Sequence, residues 1–348
     1  LRLTDLSVPE AKTKRAENAC FCRIEAMWLA KPVDSLTPAE RSAWSAALAA
    51  RDARDEDCPL AQTLRWARAT ESVGRRCFLA ASPDEGVGGV VFSEDGERFE
   101  CVNGPLLDWD SEHAPRQLAT FAMAVSKLGK FRALTLRPRW APDALEQRLA
   151  RLPLEPFAVE RAATVQVRVL PSPEAQRAAL SPRLQRTLEV GEREGVVSSW
   201  EETFDLREFA AAMREFGRAH EFTVPPDAWF EKLLAPAPEC EPLRFGLARA
   251  SAGEGSKAEL LIAKLWSRSY YLFGYEKRPV ALRAALSPMA AAHWRALEHA
   301  ASARTALYDL NGYVEDPPAD HPYAGVSRFK DQFAGLVVPY AVPEFRIE

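Results

Sequence analysis

The chain has 348 residues and a mass of 38.6 kDa, which at roughly 100–200 residues per domain points to two domains rather than one core. Hydrophobic residues make up 47% and charged residues 27%, so a packed interior is expected and disordered or fibrous classes are excluded. With 45 Lys and Arg against 49 Asp and Glu, the net charge is −4. A polyanionic partner would therefore have to be met by a local basic face, not by the overall field.

Residues 1–19 are polar without a clear period, and Cys20–Leu29 reads as a strand. Thr37-Pro38-Ala39-Glu40 carries a capping-box signature, with Thr37 as N-cap, proline in the first turn and glutamate three residues on, so a helix is predicted to about Arg54. A second helix is predicted over Pro59–Val73, stopped by Gly74. Cys77–Ala81, Val87–Phe92 and Arg98–Val102 are short apolar runs separated by Pro83-Asp-Glu-Gly and Ser93-Glu-Asp-Gly turns, the pattern of an antiparallel meander. Helix is then expected from His113 to Leu128, strand at Ala133–Leu136, helix at Pro142–Leu152 and strand at Thr164–Leu170.

The second half repeats this order. Helices Pro182–Glu194 and Leu206–Ala219 precede strands Arg244–Arg249, Glu259–Leu265 and Ser269–Gly274. Helix Pro288–Ala301 and strand Ala306–Leu310 follow. A helix pair, three strands, a helix and a strand thus occur twice, which implies two similar α+β lobes. The run Phe333–Val342 is too short for a spanning helix, contains Pro339, and reads as strand.

The six cysteines are scattered, Cys20 and Cys22 have no second pair at zinc-ligand spacing, and the five histidines do not cluster. Neither a disulfide scaffold nor a structural zinc is expected, and the cysteines read as small buried hydrophobes. Arg2, Asp5 and Glu10 interrupt the first residues, which show no apolar signal region, so a cytoplasmic location is expected.

The C-terminal third contains Tyr308-Asp309-Leu310-Asn311-Gly312, His321-Pro322-Tyr323-Ala324-Gly325-Val326, Arg328-Phe329-Lys330 and Phe333-Ala334-Gly335. With Asn103-Gly-Pro-Leu-Leu-Asp108, Glu192-Arg-Glu-Gly-Val196, Tyr270-Tyr-Leu-Phe-Gly274 and Trp294, in that order, this set resembles the FemABX family. Those transferases move an amino acid from aminoacyl-tRNA onto an amine of a peptidoglycan precursor and use two tandem GNAT-like lobes. The resemblance implies an α+β chain of two such domains, 1–165 completed by 335–348, and 166–334. It also implies aminoacyl-tRNA as co-substrate without a diffusible cofactor or metal, and a nucleotide- or lipid-linked muropeptide as acceptor. A lipid-linked acceptor would place the protein peripherally at the inner membrane face.

By the same resemblance, Asp108 holds the place of the family's acidic residue, which accepts a proton from the amine or orients it; its alternative is a cap on the following helix. Lys330 matches the family lysine associated with the aminoacyl-tRNA end, a point charge suited to developing negative charge; its alternative is a solvated surface lysine. Trp66, Arg183, Arg186, Tyr271, Phe273, Arg328 and Phe329 complete the expected substrate-binding set, although Phe329 suits a core position as well. Alternate rings of Tyr270, Tyr271, Phe273 and Tyr275 are expected on opposite faces of one strand. Seven basic residues against Asp143 and Glu146 between Lys127 and Arg151, with Trp140 among them, suit either a phosphate-tracking surface or an ordinary solvated corner.

The chain departs from the family where Arg183-Leu-Gln-Arg-Thr-Leu-Glu-Val190 replaces the usual Lys-Thr-Arg-Tyr-Asn-Ile-Arg-Arg. Gln185 stands for an arginine, Glu189 reverses a charge, and Thr70 occupies a lysine position four residues after Trp66. An acceptor outside the cell wall, or a non-catalytic GNAT-like binding protein, are the alternatives these changes raise. An acyl-CoA N-acetyltransferase is disfavoured, because Arg278-Pro-Val-Ala-Leu-Arg-Ala-Ala lacks the glycines that let a backbone approach a pyrophosphate.

Overall fold

The computed structural model describes residues 28–54, 60–82, 85–235, 242–253, 255–279 and 286–348. Most of the strand expected at Cys20–Leu29, the cysteines other than Cys77 and Cys101, and most of the glycine-free turn after Arg278 lie outside them. The chain divides into two compact units, Leu1–Arg161 with Glu231–Glu241 and Tyr340–Glu348, and Ala162–Phe230 with Pro242–Pro339.

In the first unit, β1 (Leu29–Pro32) is followed by α1 (Pro38–Ala53), α2 (Leu64–Glu71), β2 (Arg76–Ser82), β3 (Val87–Ser93) and β4 (Arg98–Val102). Then come α3 (Ala114–Ser126), β5 (Ala133–Arg137) and α4 (Leu145–Arg151), and the end of β12 (Leu336–Ile347) joins the sheet. The strand order is β1-β2-β3-β4-β5-β12. The capping box forms as the sequence predicts: Thr37 Oγ1 accepts from the Glu40 N–H, and Glu40 Oε2 accepts from the Thr37 N–H at 2.8 Å. The second helix begins later than expected, because a 3-10 turn at Leu60–Gln62 precedes it and Thr63 caps it. The meander pairs antiparallel through β4, whereas β4 and β5 run parallel because α3 crosses between them. β3 is buried along its whole length, which fits its unbroken apolar run. Phe78, Phe99, Leu118, Phe121, Trp140 and Phe345 lie in this unit's core.

The second unit contains most of β6 (Ala158–Arg168), α5 (Pro173–Ala179), α6 (Pro182–Arg193), β7 (Val197–Glu201), α7 (Leu206–Ala219) and the first half of α8 (Asp227–Leu234), whose residues from Glu231 on belong to the first unit. β8 (Arg244–Ser251), β9 (Lys257–Leu265), β10 (Arg268–Lys277), α9 (Pro288–Ser302), β11 (Leu307–Asp309) and α10 (Ala324–Lys330) follow. Its strand order is β6-β11-β10-β9-β8-β7. Strands β8, β9 and β10 form the second antiparallel meander, and β10 and β11 pair in parallel across α9. The repeat read from the sequence is thus a repeat of topology, with Phe78 and Phe245 both in the opening strand of their meanders. α5, β7, α8 and α10 were not anticipated; each is short, and α5 and α10 have only 7 residues, below the window in which periodicity is legible.

α9 packs against β7, β8 and β9 and buries Ala290, Ala292, Ala296 and Ala300 together with His293 and Trp294. Ser287 caps it, accepting from the Ala290 N–H, and Pro288 opens it. On the other face, Glu259 is fully buried, accepts from the Tyr275 hydroxyl at 2.7 Å, and pairs with Arg249 at 2.6 Å and Lys257 at 2.8 Å. Taking a carboxylate out of water is costly unless such partners pair with it.

Gly88 fixes where the loop after β4 sits. Its N–H donates to the Leu106 carbonyl at 3.0 Å and its carbonyl accepts from the Leu106 N–H at 2.7 Å. Its φ is +138°, and a Cβ there would lie 2.4 Å from the Ala81 Cα. Because that neighbour is backbone, it has little room to give. Gly88→Ala is expected to destabilise the fold by about 1–3 kcal/mol, measured as a lowered urea midpoint with an unchanged slope.

Candidate functional site

Two positions stand out, one in each unit. In the first unit, β4 ends at Val102, Asn103 takes a left-handed conformation with φ +53°, and the loop runs on to α3. Asp108 lies on this loop. Its N–H donates to Gln117 Oε1 at 3.0 Å and its carbonyl accepts from the Ser111 N–H. The N-cap of α3 is His113, and no side chain caps that helix, so Asp108 is not the cap that the sequence offered as its alternative role. The residue is exposed and lines a cavity of about 680 Å³ together with Arg51, Arg54, Asp110, Arg139 and Arg148. Arg148 is committed to Asp110 through two hydrogen bonds of 2.9 and 2.6 Å, and this holds the Asp110 carboxyl below its ordinary range.

The basic stretch from Lys127 to Arg151 is largely spent inside this unit. Arg137 pairs with Glu100 and Glu344, Arg139 lies over the Tyr340 ring, Arg151 donates to the Asp110 carbonyl, and Trp140 is a core residue at 1% exposure. Lys127, Lys130 and Arg132 remain exposed. The continuous phosphate track is not what these side chains build; most of them are internal ties.

The second position is Lys330, at the end of α10. It is 5% exposed, and its Nζ donates to the carbonyl oxygens of Asn311 and Gly312, both at 2.5 Å. The surface-lysine alternative is thereby overturned. Tyr271 from β10 presents its ring 5.9 Å from the ammonium. His293 from α9 packs edge-on to Tyr271, and its Nδ1 lies 2.9 Å from the Tyr308 hydroxyl. Phe329 and Phe333 pack together and against His293; Phe333 is buried, and Phe329 is half-buried against the core. Burial pushes the Lys330 amine down to about 8, opposed by the charge of Asp309. Burial also pushes the Tyr271 hydroxyl up to about 12.

The remaining predicted residues scatter. β10 carries a bulge between Tyr271 and Phe273, pairing with Ile262 and Leu261 respectively. The extra residue shifts the parity of the strand, so Tyr271 packs toward His293 while Phe273 joins Trp229 and Phe230. The strict alternation expected for these rings is broken there. Arg183 and Arg186 are exposed on α6 and Arg328 is exposed on α10. Trp66 is half-buried in the first turn of α2, its N–H donating to Thr63 Oγ1 at 3.3 Å. The departures from the family pattern have local duties: Gln185 Nε2 donates to the Leu180 carbonyl at 2.7 Å, and the Thr70 hydroxyl donates to the Trp66 carbonyl at 3.0 Å.

His293, Thr164 and Gln166 escaped the sequence reading. A lone histidine in an alanine-rich helix and a threonine in a strand carry no local signal; only the fold brings Thr164 and Gln166 to Asp309 and His293 to Tyr308 and the Lys330 charge. Among the described residues, no group of three or more His, Cys, Asp or Glu is placed to hold a metal ion, and no helix is long and apolar enough to cross a membrane.

Paired meanders, each followed by a crossover helix and a parallel strand, define an α+β, GNAT-like fold present in tandem. No family profile and no curated protein matches the chain. Among solved structures it is similar to FemX, with a TM-score of 0.69 and 15% identity over 88% of this chain and 96% of that one. It is also similar to the C-terminal domain of a putative lysylphosphatidylglycerol synthetase from Agrobacterium fabrum, with a TM-score of 0.51 and 12% identity over 87% and 92% of the two chains. At these identities the likeness is one of fold, and it agrees with the FemABX resemblance of the motifs.

Burial holds the His293 ring down to about 3, with the Lys330 charge adding to the effect. The unfolded chain, with an ordinary histidine near 6.5, binds this proton more readily. The stability contribution is therefore whole above about pH 6.5 and is lost as pH falls toward 3, roughly 2 kcal/mol of it by pH 5. His293→Phe is expected to flatten that acid-side loss, read from urea midpoints at pH 7 and pH 5.

Proposed function

We propose that the protein is an aminoacyltransferase that moves an amino acid from aminoacyl-tRNA to an amine acceptor, with a peptidoglycan precursor as the acceptor class. The observation that carries this reading is Lys330: a lysine in the motif Arg328-Phe329-Lys330, drawn inside the fold and held by two backbone carbonyls. Burying an ammonium costs several kcal/mol, and a site that stabilises negative charge in a shielded setting accounts for retaining it. The fold shared with FemX supports the same reading.

The chemistry is aminolysis of an ester. The acceptor nitrogen attacks the carbonyl carbon that joins the amino acid to the ribose. An amide C–N bond forms, the ester C–O bond breaks, and the proton lost from nitrogen ends on the released ribose hydroxyl. In this reading Lys330 stabilises the oxyanion that develops on the carbonyl, and an ammonium has three donors, of which the two backbone carbonyls use two. Asp108 orients the amine or accepts its proton from the loop above the cavity it lines. The arginines sharing that cavity, Arg51, Arg54 and Arg139, suit an acceptor that carries phosphate or carboxylate groups. Arg183, Arg186 and Arg328, exposed on their helices, provide further anion contacts. The reaction calls for no diffusible cofactor, and aminoacyl-tRNA makes it a reaction of the cytoplasm.

Incubation with labelled aminoacyl-tRNAs and wall precursors, following label into a ribonuclease-resistant amide, tests the reading. Lys330→Ala is expected to lower transfer about 100-fold or more with an unchanged circular-dichroism spectrum; undiminished turnover would dismiss the role. Since the charged amine is the working form and titrates near 8, transfer should decline as pH rises through that value. Asp108→Asn is expected to slow transfer about 100-fold while aminoacyl-tRNA binding persists.

A further inference from the structure

The two carbonyls that hold Lys330 belong to a turn that cannot hold itself. Asn311 has φ +54° and Gly312 φ +31°, left-handed values that cost a non-glycine residue stability unless its surroundings impose them. What imposes them is visible. Asp309, at the end of β11 and 6% exposed, turns its carboxylate back over the turn, and Oδ1 accepts from the Asn311 N–H at 2.7 Å. The same oxygen accepts from the hydroxyl of Thr164, 1% exposed on β6, and Oδ2 accepts from Gln166 Nε2 at 3.3 Å. The Asn311 side chain reaches the Tyr271 carbonyl at 2.9 Å. On either side of the turn, Leu310 N–H donates to Val165 and Tyr313 N–H to Ala163, both at 2.9 Å.

Resting on the reading of Lys330 as a catalytic residue, we propose that Asp309 is its positioning residue: fixed by Thr164, its carboxylate locks the Asn311–Gly312 turn so that two carbonyl oxygens face the ammonium. The arrangement acts through geometry and through charge. A carbonyl dipole orients an ammonium but carries no net charge, so the compensating charge falls to the carboxylate behind the turn. Among the described residues, the charged and titratable groups that the structure sets against Lys330 are Asp309 on β11, His293 on α9 and Tyr271 on β10. His293 is held neutral by burial and Tyr271 stays protonated, which leaves Asp309 as the anion among the three. Thr164 makes the carboxylate rotamer unique, and a valine there would keep the volume while removing the donor.

The test is the titration of Lys330 in the full chain, followed by NMR with 13C-labelled lysine and assigned by the resonance missing from Lys330→Arg. Asp309→Asn keeps the shape and hydrogen-bond acceptor while deleting the charge, and should lower the Lys330 midpoint by about one unit or more. Thr164→Val should move the same resonance, and Thr164→Ser should restore it. If Asp309→Asn does not fold, the comparison of valine with serine at position 164 decides. An unmoved midpoint and chemical shift in Asp309→Asn and Thr164→Val would overturn the proposal. In the transfer assay, Asp309→Asn should cost about 10–100-fold in kcat and shift the basic limb of the pH profile to lower pH; an unchanged profile counts equally against it. The titration is read without any assumption about activity. A Lys330→Ala variant with full turnover would therefore sink the catalytic reading, whatever Asp309 is found to do.

Discussion

An ammonium taken out of water has to be compensated at once, and in this chain that constraint shapes much of the second unit around Lys330. Two carbonyl oxygens at 2.5 Å supply its hydrogen bonds, and a turn in a left-handed conformation supplies the carbonyls. The carboxylate that secures the turn is itself secured by a threonine and a glutamine on a neighbouring strand. The aromatic side chains about the lysine, Tyr271, Phe329 and Phe333, together with His293, exclude water and pull its proton affinity down from the ordinary lysine range. Stability would be easier to obtain with an apolar residue here, and keeping a charge inside at this cost is the usual mark of a functional group.

The first unit solves a different problem. Asp108 is not buried; it rides on a loop whose position is fixed by backbone pairing between Gly88 and Leu106. Beneath that loop Gln62 is fully buried. Its Oε1 accepts from the Val90 N–H at 2.7 Å and its Nε2 donates to the Val102 carbonyl at 2.7 Å. One amide thus ties β3 to the end of β4, and the loop is carried on rigid elements while its carboxylate stays in contact with solvent. The first unit thus keeps its carboxylate hydrated, whereas the second shields its ammonium.

Several features were legible in the sequence because they rest on short-range rules. The capping box at Thr37, the three-strand meanders and their repetition, and the boundaries of α7 follow from propensity, turn chemistry and apolar spacing, which act within a few residues. The motif set also singled out Asp108 and Lys330, which the structure places on an exposed loop and in a buried pocket respectively. The parity of β10 was not legible. A bulge adds one residue to one strand of a pair, and nothing in Tyr270-Tyr-Leu-Phe-Gly274 announces it. The arginines after Lys127 suited either a phosphate track or an ordinary solvated corner because sequence shows charge without showing partners; Asp110, Glu100 and Glu344, which engage Arg148 and Arg137, lie tens to hundreds of residues away along the chain.

The sequence by itself determined the duplicated α+β order, the ends of the longer helices, and which two ionisable residues are worth asking about, since each of these depends on nearest neighbours or on a short ordered motif. The tertiary structure alone decided that Lys330 is buried instead of solvated, that Asp108 faces a cavity instead of capping a helix, and that Thr164, Gln166, His293 and Asp309 belong with the lysine. Burial and electrostatic compensation are properties of what surrounds a side chain in space, and here those surroundings come from β6, β10, α9 and β11, which the chain visits far apart and only folding assembles.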